Sequence, residues 1–277
     1  LREPGSAVAA AQHRRDGAGV AGEEEEVQEA VEDAAAGDVS ERSSAEQFAD
    51  QLRHGARALQ PSAQAIAQGW AQAARVQIAQ EQRAVTAPLA CALLQALPEF
   101  ADAQRLLDLG GGPGLVAIAL AQAQPQLHTV VFDYAEAAAV AHDNIAQAGL
   151  ADRLLAVGGD LIVDDLGGDY DVIWCSSVLH FVPDIPALLA RLHRALRPGG
   201  VLMCCHAELP QTREPAQRVL PYYLHMRMQG RHVLGQGVLA DLLGQAGFVG
   251  IEQVDEVRCA VAPVSMVIGR TPRGDVQ

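Results

Sequence analysis

A chain of 277 residues with 49% hydrophobic content is long enough for one large α/β domain and an additional segment. A formal net charge of −14 argues against a nucleic-acid partner, because contacts with phosphates need a basic surface. No apolar run approaches the roughly 18 residues of a membrane span, and an odd number of cysteines indicates buried thiols in a reducing compartment. We therefore expect a cytoplasmic protein without a membrane partner.

Composition divides the chain into three predicted segments. Residues 1–45 are rich in alanine, glycine and acid and predict a disordered tail, with a functional acidic arm as the alternative. Residues 46–100 carry apolar side chains at helical spacing and predict a helical cap or linker. Strands and helices alternate over residues 101–277, which predicts a mostly parallel sheet with helices on both faces.

The first strand of the alternating region, 106–109, runs into a glycine-rich turn and then a helix that begins at residue 115. Glycines at positions 110, 112 and 114 allow positive φ angles and let a ligand approach the backbone without meeting a Cβ atom. The amides that open the helix form an electropositive cradle, so a nucleoside-bearing cofactor is the expected occupant. The G-x-G-x-G spacing disfavours an NAD-linked oxidoreductase, and a chain without lysine has no P-loop.

Acidic residues follow the next two predicted strands. Asp133 ends the strand 129–132, where a carboxylate can accept both hydroxyls of a ribose. Asp160 follows the strand 154–157, where it is placed to bond an adenine amine. The glycine loop, the ribose carboxylate and the later acid, in this order, resemble a class I S-adenosylmethionine (SAM) methyltransferase. The resemblance implies SAM as the cofactor.

The remaining elements complete the predicted fold. Helices are expected at 135–148, 185–196 and 238–246, and strands at 170–175, 201–205, 250–257 and 259–268, the last two antiparallel. The Arg-Pro-Gly-Gly turn at 197–200 is expected to stop the helix before it. The predicted fold class is therefore α/β: a Rossmann-like SAM-methyltransferase sheet, mostly parallel with its last strand antiparallel, and an N-terminal helical segment.

The stretch 169–184 and the turn at 197–200 resemble the small-molecule O-methyltransferase family of plants and bacteria. That family has the pattern V-L-H-D-W-x-D … L-x-P-G-G, and this chain has Val-Leu-His-Phe-Val-Pro-Asp and, later, Leu-Arg-Pro-Gly-Gly. Its members include caffeate and flavonoid methyltransferases and bacterial tailoring enzymes of polyketide and pigment pathways. The resemblance covers residues 45–270 and implies an enzyme of secondary metabolism that methylates a hydroxyl of a small, largely apolar molecule.

The resemblance also implies roles for individual residues. Ser176 takes the place of a lysine that contacts the cofactor in plant members, and His180 falls on the family's proton acceptor. The cofactor-binding residues that it implies are Asp108, Gly110, Gly112, Asp133, Tyr134, Asp160, Leu161 and Ser176.

Methyl transfer to a hydroxyl needs a proton acceptor, and an imidazole with a pKa of about 6.5 can take that proton at neutral pH. His180 is therefore predicted as the general base, the alternative being a histidine that caps the strand–loop junction. The family supports this histidine with two acidic residues, whose places fall on His206 and near Val233. Glu208, on the same strand face as His206, is the candidate substitute.

An aromatic and methionine-rich stretch, 221–228, lies between the fifth strand and the penultimate helix. Aromatic residues make up only 4% of the chain, so their concentration here indicates a wall for a flat apolar acceptor, with a plain core helix as the alternative. The acceptor-binding residues expected are Phe181, Tyr222, Tyr223 and Met226. No Cys/His spacing indicates a metal, and Cys175 is interpreted as a buried strand residue rather than a nucleophile.

Two other functions stay open at this point. An N- or C-methyltransferase of the same fold is compatible with the missing acidic partners of His180, and a catalytically silent SAM-fold protein would serve as a binding or scaffold subunit. The family's N-terminal dimerisation domain has no counterpart in residues 1–100. We expect residues 46–100 to cover the acceptor side of the catalytic domain and to pair weakly with a second chain in a homodimer.

Overall fold

Seven strands form one mixed sheet in the part of the chain that the structure, a computed structural model, describes, which is residues 63–273. The strands are β1 (Arg105–Leu109), β2 (His128–Asp133), β3 (Leu154–Gly158), β4 (Tyr170–Ser176), β5 (Leu196–His206), β6 (Val249–Val257) and β7 (Val264–Arg270). Their order across the sheet is β3-β2-β1-β4-β5-β7-β6. Strands β1 to β5 are all parallel to one another, and β7 is antiparallel to both β5 and β6.

The helices of this region either precede the sheet or connect its strands. Those that precede it are α1 (Ala63–Arg75), α2 (Gln77–Glu81), a π-helical turn (Gln82–Thr86), α3 (Ala87–Gln95) and α4 (Pro98–Ala101). Those that follow are α5 (Leu115–Ala123), α6 (Ala135–Gln147), a 3₁₀ turn (Leu179–Phe181), α7 (Ile185–Ala195), α8 (Arg213–Met228) and α9 (Val238–Gln245).

The central strands are buried on both faces, as expected of parallel strands that helices cover on each side. Every residue of β4 except its last is buried. Because successive side chains of a strand point to opposite faces, β4 contributes to two separate cores. Ile173 packs into the core that α7 and α9 cover, and Val172 packs into the core that α3 and α5 cover.

The predicted fold class is confirmed: the sheet is Rossmann-like and mostly parallel, its C-terminal strands are antiparallel, and helices precede it. Two predicted boundaries are wrong. The fifth strand begins at Leu196 rather than at residue 201, because Leu196 already pairs with Tyr170 ahead of a register shift. The Arg-Pro-Gly-Gly turn therefore lies inside β5, and α7 ends at Ala195. The last strand begins at Val264 rather than at residue 259.

The structure describes only part of the three predicted segments. Residues 1–45, predicted as an acidic tail, lie outside the described residues, as do residues 46–62. The helical pattern seen in the sequence after residue 62 corresponds to α1 through α4, and its role as a cap stays a prediction. Between residues 63 and 273, no helix is long and apolar enough to cross a membrane.

Asp171 ties three strands together at the end of the sheet opposite the glycine loop. Its buried carboxylate accepts hydrogen bonds from the backbone amides of Gln104 and Arg105, each at 2.7 Å. It also pairs with the guanidinium of Arg197 at 2.5 Å. The single carboxylate therefore joins the start of β1 and the start of β5 to β4.

We expect Asp171→Ala to lower the free energy of unfolding by about 2–4 kcal/mol, because it leaves two amide donors and a guanidinium without their acceptor. Urea denaturation followed by circular dichroism measures this. Asp152→Ala, at an exposed position, is the matched control and should leave the midpoint in place. An unchanged midpoint in Asp171→Ala would contradict the role given to this carboxylate.

Candidate active site

Predicted functional residues follow the carboxyl ends of four neighbouring strands. β1 leads into the glycine loop at Gly110, β2 ends at Asp133, and β4 ends at Ser176. β3 ends at Gly158, two residues before Asp160. Because these strands are adjacent and parallel, their ends meet at one edge of the sheet, where ligands bind in open α/β folds. The structure thus brings the predicted cofactor-binding positions together.

The loop after β1 requires glycine for both conformation and space. Gly110, Gly112 and Gly114 have φ angles of +64°, +55° and +73°, in the region that side chains rarely adopt. A Cβ atom on Gly110 would also collide with the side chain of Val178, two residues beyond the end of β4. The loop is therefore a cradle of bare backbone between β1 and α5.

Asp133 is held beside this loop by two backbone amides. Its Oδ2 accepts a hydrogen bond from Gly112 at 2.8 Å, and its Oδ1 accepts one from Tyr134 at 2.7 Å. Burial raises the pKa of Asp133 above its ordinary value, and the two amide bonds oppose that shift. Each carboxylate oxygen keeps a further lone pair, which is what the two hydroxyls of a ribose require.

Asp108 lies directly beneath the loop, with only 2% of its side chain exposed. A Cβ atom on Gly111 would lie 2.7 Å from its Oδ2, and that oxygen has no hydrogen-bond partner within residues 63–273. Burial, followed by the charge of Asp133, raises the pKa of Asp108 to about 7. Asp133 makes this side of the site negative, and Asp108 adds to the negative charge in its ionised form.

These features fit SAM, which combines an adenosine with a sulfonium and an ammonium group. The bare backbone of the loop admits a ligand at contact distance, and Asp133 is placed for the ribose. The unpartnered oxygen of Asp108 and the negative potential favour a cationic ligand over a dinucleotide, whose pyrophosphate is anionic. The residues that would hold SAM are therefore the loop glycines, Asp133 and, through its charge, Asp108.

The other predicted cofactor residues are half-buried around the same edge. Asp160 accepts the amide of Ile162 at 2.8 Å and so shapes the turn after β3 that carries Leu161. Burial, and after it the charges of Asp160 and Asp133, raise the pKa of Tyr134. Ser176 ends β4, the strand that pairs with β1, so these four residues follow the strand ends at the edge predicted to bind the adenosine.

His180 lies on the 3₁₀ turn after β4 and is buried. Its Nδ1 is 2.7 Å from the carbonyl oxygen of His232, and because a carbonyl only accepts, Nδ1 carries the proton. The lone pair is then on Nε2, which has no hydrogen-bond partner in the described part of the chain. Burial lowers the pKa of His180 below its ordinary value, which keeps the ring neutral at neutral pH.

His206 occupies the place where the family has an acidic residue, with its ring centroid 5.4 Å from that of His180. Its Nε2 accepts the backbone amides of Val178 and Leu179, each at 3.0 Å. Burial, followed by repulsion from His180 when that ring is protonated, holds the pKa of His206 well below its ordinary value. His206 therefore holds the turn that carries His180, rather than the ring of His180 itself.

Glu208 does not support His180, which corrects the sequence-based prediction. Its carboxylate accepts the amide of Leu239 at 3.0 Å, the amide of Gly237 at 3.3 Å and the side chain of Gln253 at 3.0 Å. The first two donors open α9, where unpaired amides and the helix dipole attract a carboxylate. The backbone of His232, adjacent to the second expected acid position, holds His180 instead.

Phe181 is the centre of an aromatic cluster beside His180. The ring of Trp70, from α1, meets it edge-on at 4.7 Å, and the guanidinium carbon of Arg231 lies 4.7 Å above it. The ring of Tyr223, from α8, is 5.2 Å from the His180 ring. Three separate segments thus form one aromatic, largely apolar wall beside the ring of His180.

Tyr222 lies apart from the ring contacts that define this wall, and its role as an acceptor-binding residue stays a prediction. Half of its side chain, 52%, is exposed. Successive residues of an α-helix point about 100° apart, so α8 cannot turn both Tyr222 and Tyr223 inward. Met226, which follows Tyr223 by three residues on the same helix face, is buried, and its role at the acceptor stays a prediction.

A cluster of potential metal ligands, which the sequence spacing did not indicate, lies under the site. Cys175 and Cys204 are paired across β4 and β5, and their sulfurs lie within 4.8 Å of a ring nitrogen of His206. Contact with Cys175, together with burial, holds the pKa of Cys204 well above its ordinary value, so the thiol stays protonated. His206 must carry its proton on Nδ1, because Nε2 accepts two amides. We therefore assign no metal to these residues.

Sequence analysis missed three side chains that shape the site. Trp70 and Arg231 contact Phe181, and Gln82 bonds the glycine loop at Gly111. None of the three lies in a recognised motif. The one signal in the sequence is that tryptophan is rare, since Trp70 is one of only two tryptophans in the chain.

A Rossmann-like sheet with a G-x-G-x-G loop at the end of β1 and an acid at the end of β2 defines a class I SAM-dependent methyltransferase. Residues 79–253, more than half of the chain, match the family described as "Methyltransferase domain", and the chain belongs to that family. The expected resemblance to small-molecule O-methyltransferases is confirmed by similar proteins of known sequence and structure.

Two relatives and one structure illustrate the similarity. The tetracenomycin polyketide synthesis 8-O-methyl transferase TcmO of Streptomyces glaucescens is 28% identical over 180 residues, which are 63% of this chain and 51% of that protein. The L-tyrosine C(3)-methyltransferase of Streptomyces lavendulae is 28% identical over 155 residues, 54% of this chain and 42% of that protein. The crystal structure of LaPhzM matches with a TM-score of 0.64 at 27% identity, over 82% of this chain and 69% of that one.

The similar proteins differ in the atom that their names say they methylate. They include O-, C- and N-methyltransferases, all at low identity. The chain spans about half the length of the curated relatives it matches. The comparisons therefore establish methylation of small molecules as the common activity of the relatives, without choosing the acceptor atom.

We expect Asp133→Ala to weaken SAM binding by about 2–3 kcal/mol, the typical cost of losing charge-assisted hydrogen bonds, or about 30- to 140-fold in Kd. Isothermal titration calorimetry with SAM and with S-adenosylhomocysteine measures it. Asp152→Ala, at an exposed position, serves as the control. Unchanged affinity in Asp133→Ala would rule out the ribose assignment.

Proposed function

We propose that this chain transfers the methyl group of SAM to a hydroxyl of a small, largely apolar acceptor, with His180 as the general base. The observation that carries the proposal is the buried, unpartnered Nε2 of His180, whose opposite nitrogen donates to the carbonyl of His232. SAM supplies a methyl group that its sulfonium charge already activates. The protein's tasks are then to align the acceptor oxygen with that methyl carbon and to remove the hydroxyl proton.

The aromatic wall supports an aromatic or polyketide-like acceptor. Phe181, Trp70 and Tyr223 place aromatic rings beside the proposed base at edge-on or tilted angles, and an aromatic acceptor packs favourably against such rings. Burial raises the pKa of Tyr223 to about 12, so its hydroxyl stays protonated and can donate a hydrogen bond to the acceptor. An acceptor with a hydroxyl on a planar ring satisfies both features.

An N- or C-directed methyltransferase is the second candidate, because relatives carry names of both kinds. A neutral amine already has a lone pair free for attack, so its methylation depends less on a base than that of a hydroxyl does. A silent SAM-fold scaffold is the third candidate. Dependence of turnover on His180 separates the first two, and turnover itself excludes the third.

The proposal also includes a cytoplasmic location, which the reduced state of the cysteines supports. All five cysteines of the chain are free, and three of them are buried. Free buried thiols are typical of reducing compartments.

We expect His180→Ala to lower kcat by about 10²–10⁴-fold, the usual contribution of a positioned general base. The Kd for SAM should stay close to that of the wild type, because the ring faces the aromatic wall rather than the glycine loop. Transfer of a radiolabelled methyl group from SAM to a panel of hydroxylated aromatic compounds measures kcat. His142→Ala, at an exposed position, is the control. Near wild-type turnover of a weakly acidic phenol by His180→Ala would remove the base from the mechanism.

The pH profile of kcat should place its acidic limb below about 6.5, the ordinary pKa of a histidine. Only the neutral imidazole accepts a proton, and burial lowers the pKa of His180, so activity falls only when the pH drops through that lowered value. The measurement is made at saturating SAM, so that a change in SAM affinity caused by the titration of Asp108, whose pKa is about 7, does not lower the measured rate. A limb shifted above the ordinary histidine range would show that His180 is not the titrating base.

A further inference from the structure

We propose that Gln82 is a positioning residue that fixes the glycine loop in the conformation that binds SAM. Its side-chain amide bridges the two ends of the loop: Nε2 donates to the carbonyl of Gly111, and Oε1 accepts the amide of Leu115, both at 3.1 Å. Only 7% of the residue is exposed. The inference rests on the proposed binding of SAM at this loop.

The bond to Leu115 satisfies a donor that the sequence leaves without a local partner. The first amides of a helix have no acceptor within the helix, and a Ser, Thr, Asp or Asn at the N-cap usually supplies one. Here the N-cap of α5 is Gly114, which has no side chain to do so. Gln82 supplies the acceptor from a distant element. The N-cap position can therefore be glycine, and the amide of Leu115 still has a hydrogen-bond partner.

The bond to Gly111 restrains the most mobile kind of backbone. A run of glycines loses more conformational entropy on ordering than any other sequence. The free-energy cost of that ordering falls either on folding, before the ligand binds, or on binding itself. A buried side chain that bonds a loop carbonyl orders the loop before the ligand binds, and such preorganisation raises affinity. Ile78, one turn before Gln82, lies over Gly112 and closes the same side of the loop.

The local backbone indicates that the position of Gln82 is specific. Gln82 begins the π-helical turn Gln82–Thr86, between α2 and α3. Such turns carry one extra residue, are rare, and occur frequently at functional sites because they re-aim side chains. A regular helix through this segment would rotate the amide of Gln82 relative to the loop.

The test compares ligand binding with folding in the full chain. Gln82→Met keeps the length and burial of the side chain and removes both hydrogen bonds, and we expect it to raise the Kd for SAM and for S-adenosylhomocysteine about 10-fold, the cost of two ordinary hydrogen bonds. Gln80→Met, at an exposed position two residues earlier, is the matched control and should bind as the wild type does. Calorimetry is done at a temperature at which circular dichroism shows each variant to be folded.

A second readout needs no ligand. Hydrogen exchange of the peptide that contains Gly111 and Leu115 should be faster in Gln82→Met than in the wild type, and exchange in β4 should be unchanged. A merely structural role would lower the melting temperature while leaving the Kd of the folded protein and the exchange of the loop unchanged, and that result overturns the inference. Should Gln82→Met not fold, Gln82→Asn keeps a polar amide but is too short to bridge both loop atoms, and the same weakening is expected.

A comparison of Gln82→Met with Asp133→Ala tests the placement of SAM separately from the role of Gln82. If Asp133→Ala weakens SAM binding and Gln82→Met does not, the role of Gln82 is wrong and the SAM site stands. If neither variant changes SAM binding, the placement of the cofactor at this loop is wrong, and the inference about Gln82 falls with it.

Discussion

The passage of bare backbone between β1 and α5 is the constraint on which both halves of the site depend. Gly110 approaches Val178 so closely that a single added carbon would collide with it. Val178 opens the turn that carries His180, and it follows Ser177, whose positive φ of +57° is unusual for a residue with a side chain. Space at the glycine loop therefore determines where His180, the proposed base, can lie relative to that loop.

Electrostatics divides the site into two regions of different character. The cofactor side is negative, since Asp108 and Asp133 lie under and beside the glycine loop. On the acceptor side both imidazoles are neutral, since His180 is oriented by a backbone carbonyl and burial keeps His206 uncharged, and the charged group there is the guanidinium of Arg231. A carboxylate partner would raise the pKa of His180 and make it a stronger base that is more often protonated. A carbonyl partner gives a weaker base that is neutral at working pH.

The sequence was sufficient for the parts of the molecule that depend on local pattern. Apolar runs, turn residues and the acids at strand ends predicted the sheet and the cofactor-binding edge, because each of these features is contiguous in the chain. It was insufficient where a contact joins distant segments. The His232 carbonyl that orients His180 belongs to a backbone that every residue has, so no residue type marks it. The capture of Glu208 by α9 and the outward turn of Tyr222 likewise depend on how helices pack.

The two halves of the site also differ in the elements that build them, and this explains how one fold serves relatives with different acceptor atoms. The cofactor half consists of strand ends and loop backbone, whose geometry the sheet determines. The acceptor half consists of side chains from a helix before the sheet, such as Trp70, and from segments after β5, such as Tyr223 and Arg231. Those segments can change without disturbing the parallel strands, so the fold allows acceptor chemistry to change while the cofactor edge is kept. His180 is the exception, because the turn that carries it follows β4 directly and the sheet therefore fixes its position, while its free nitrogen lies beside the variable wall.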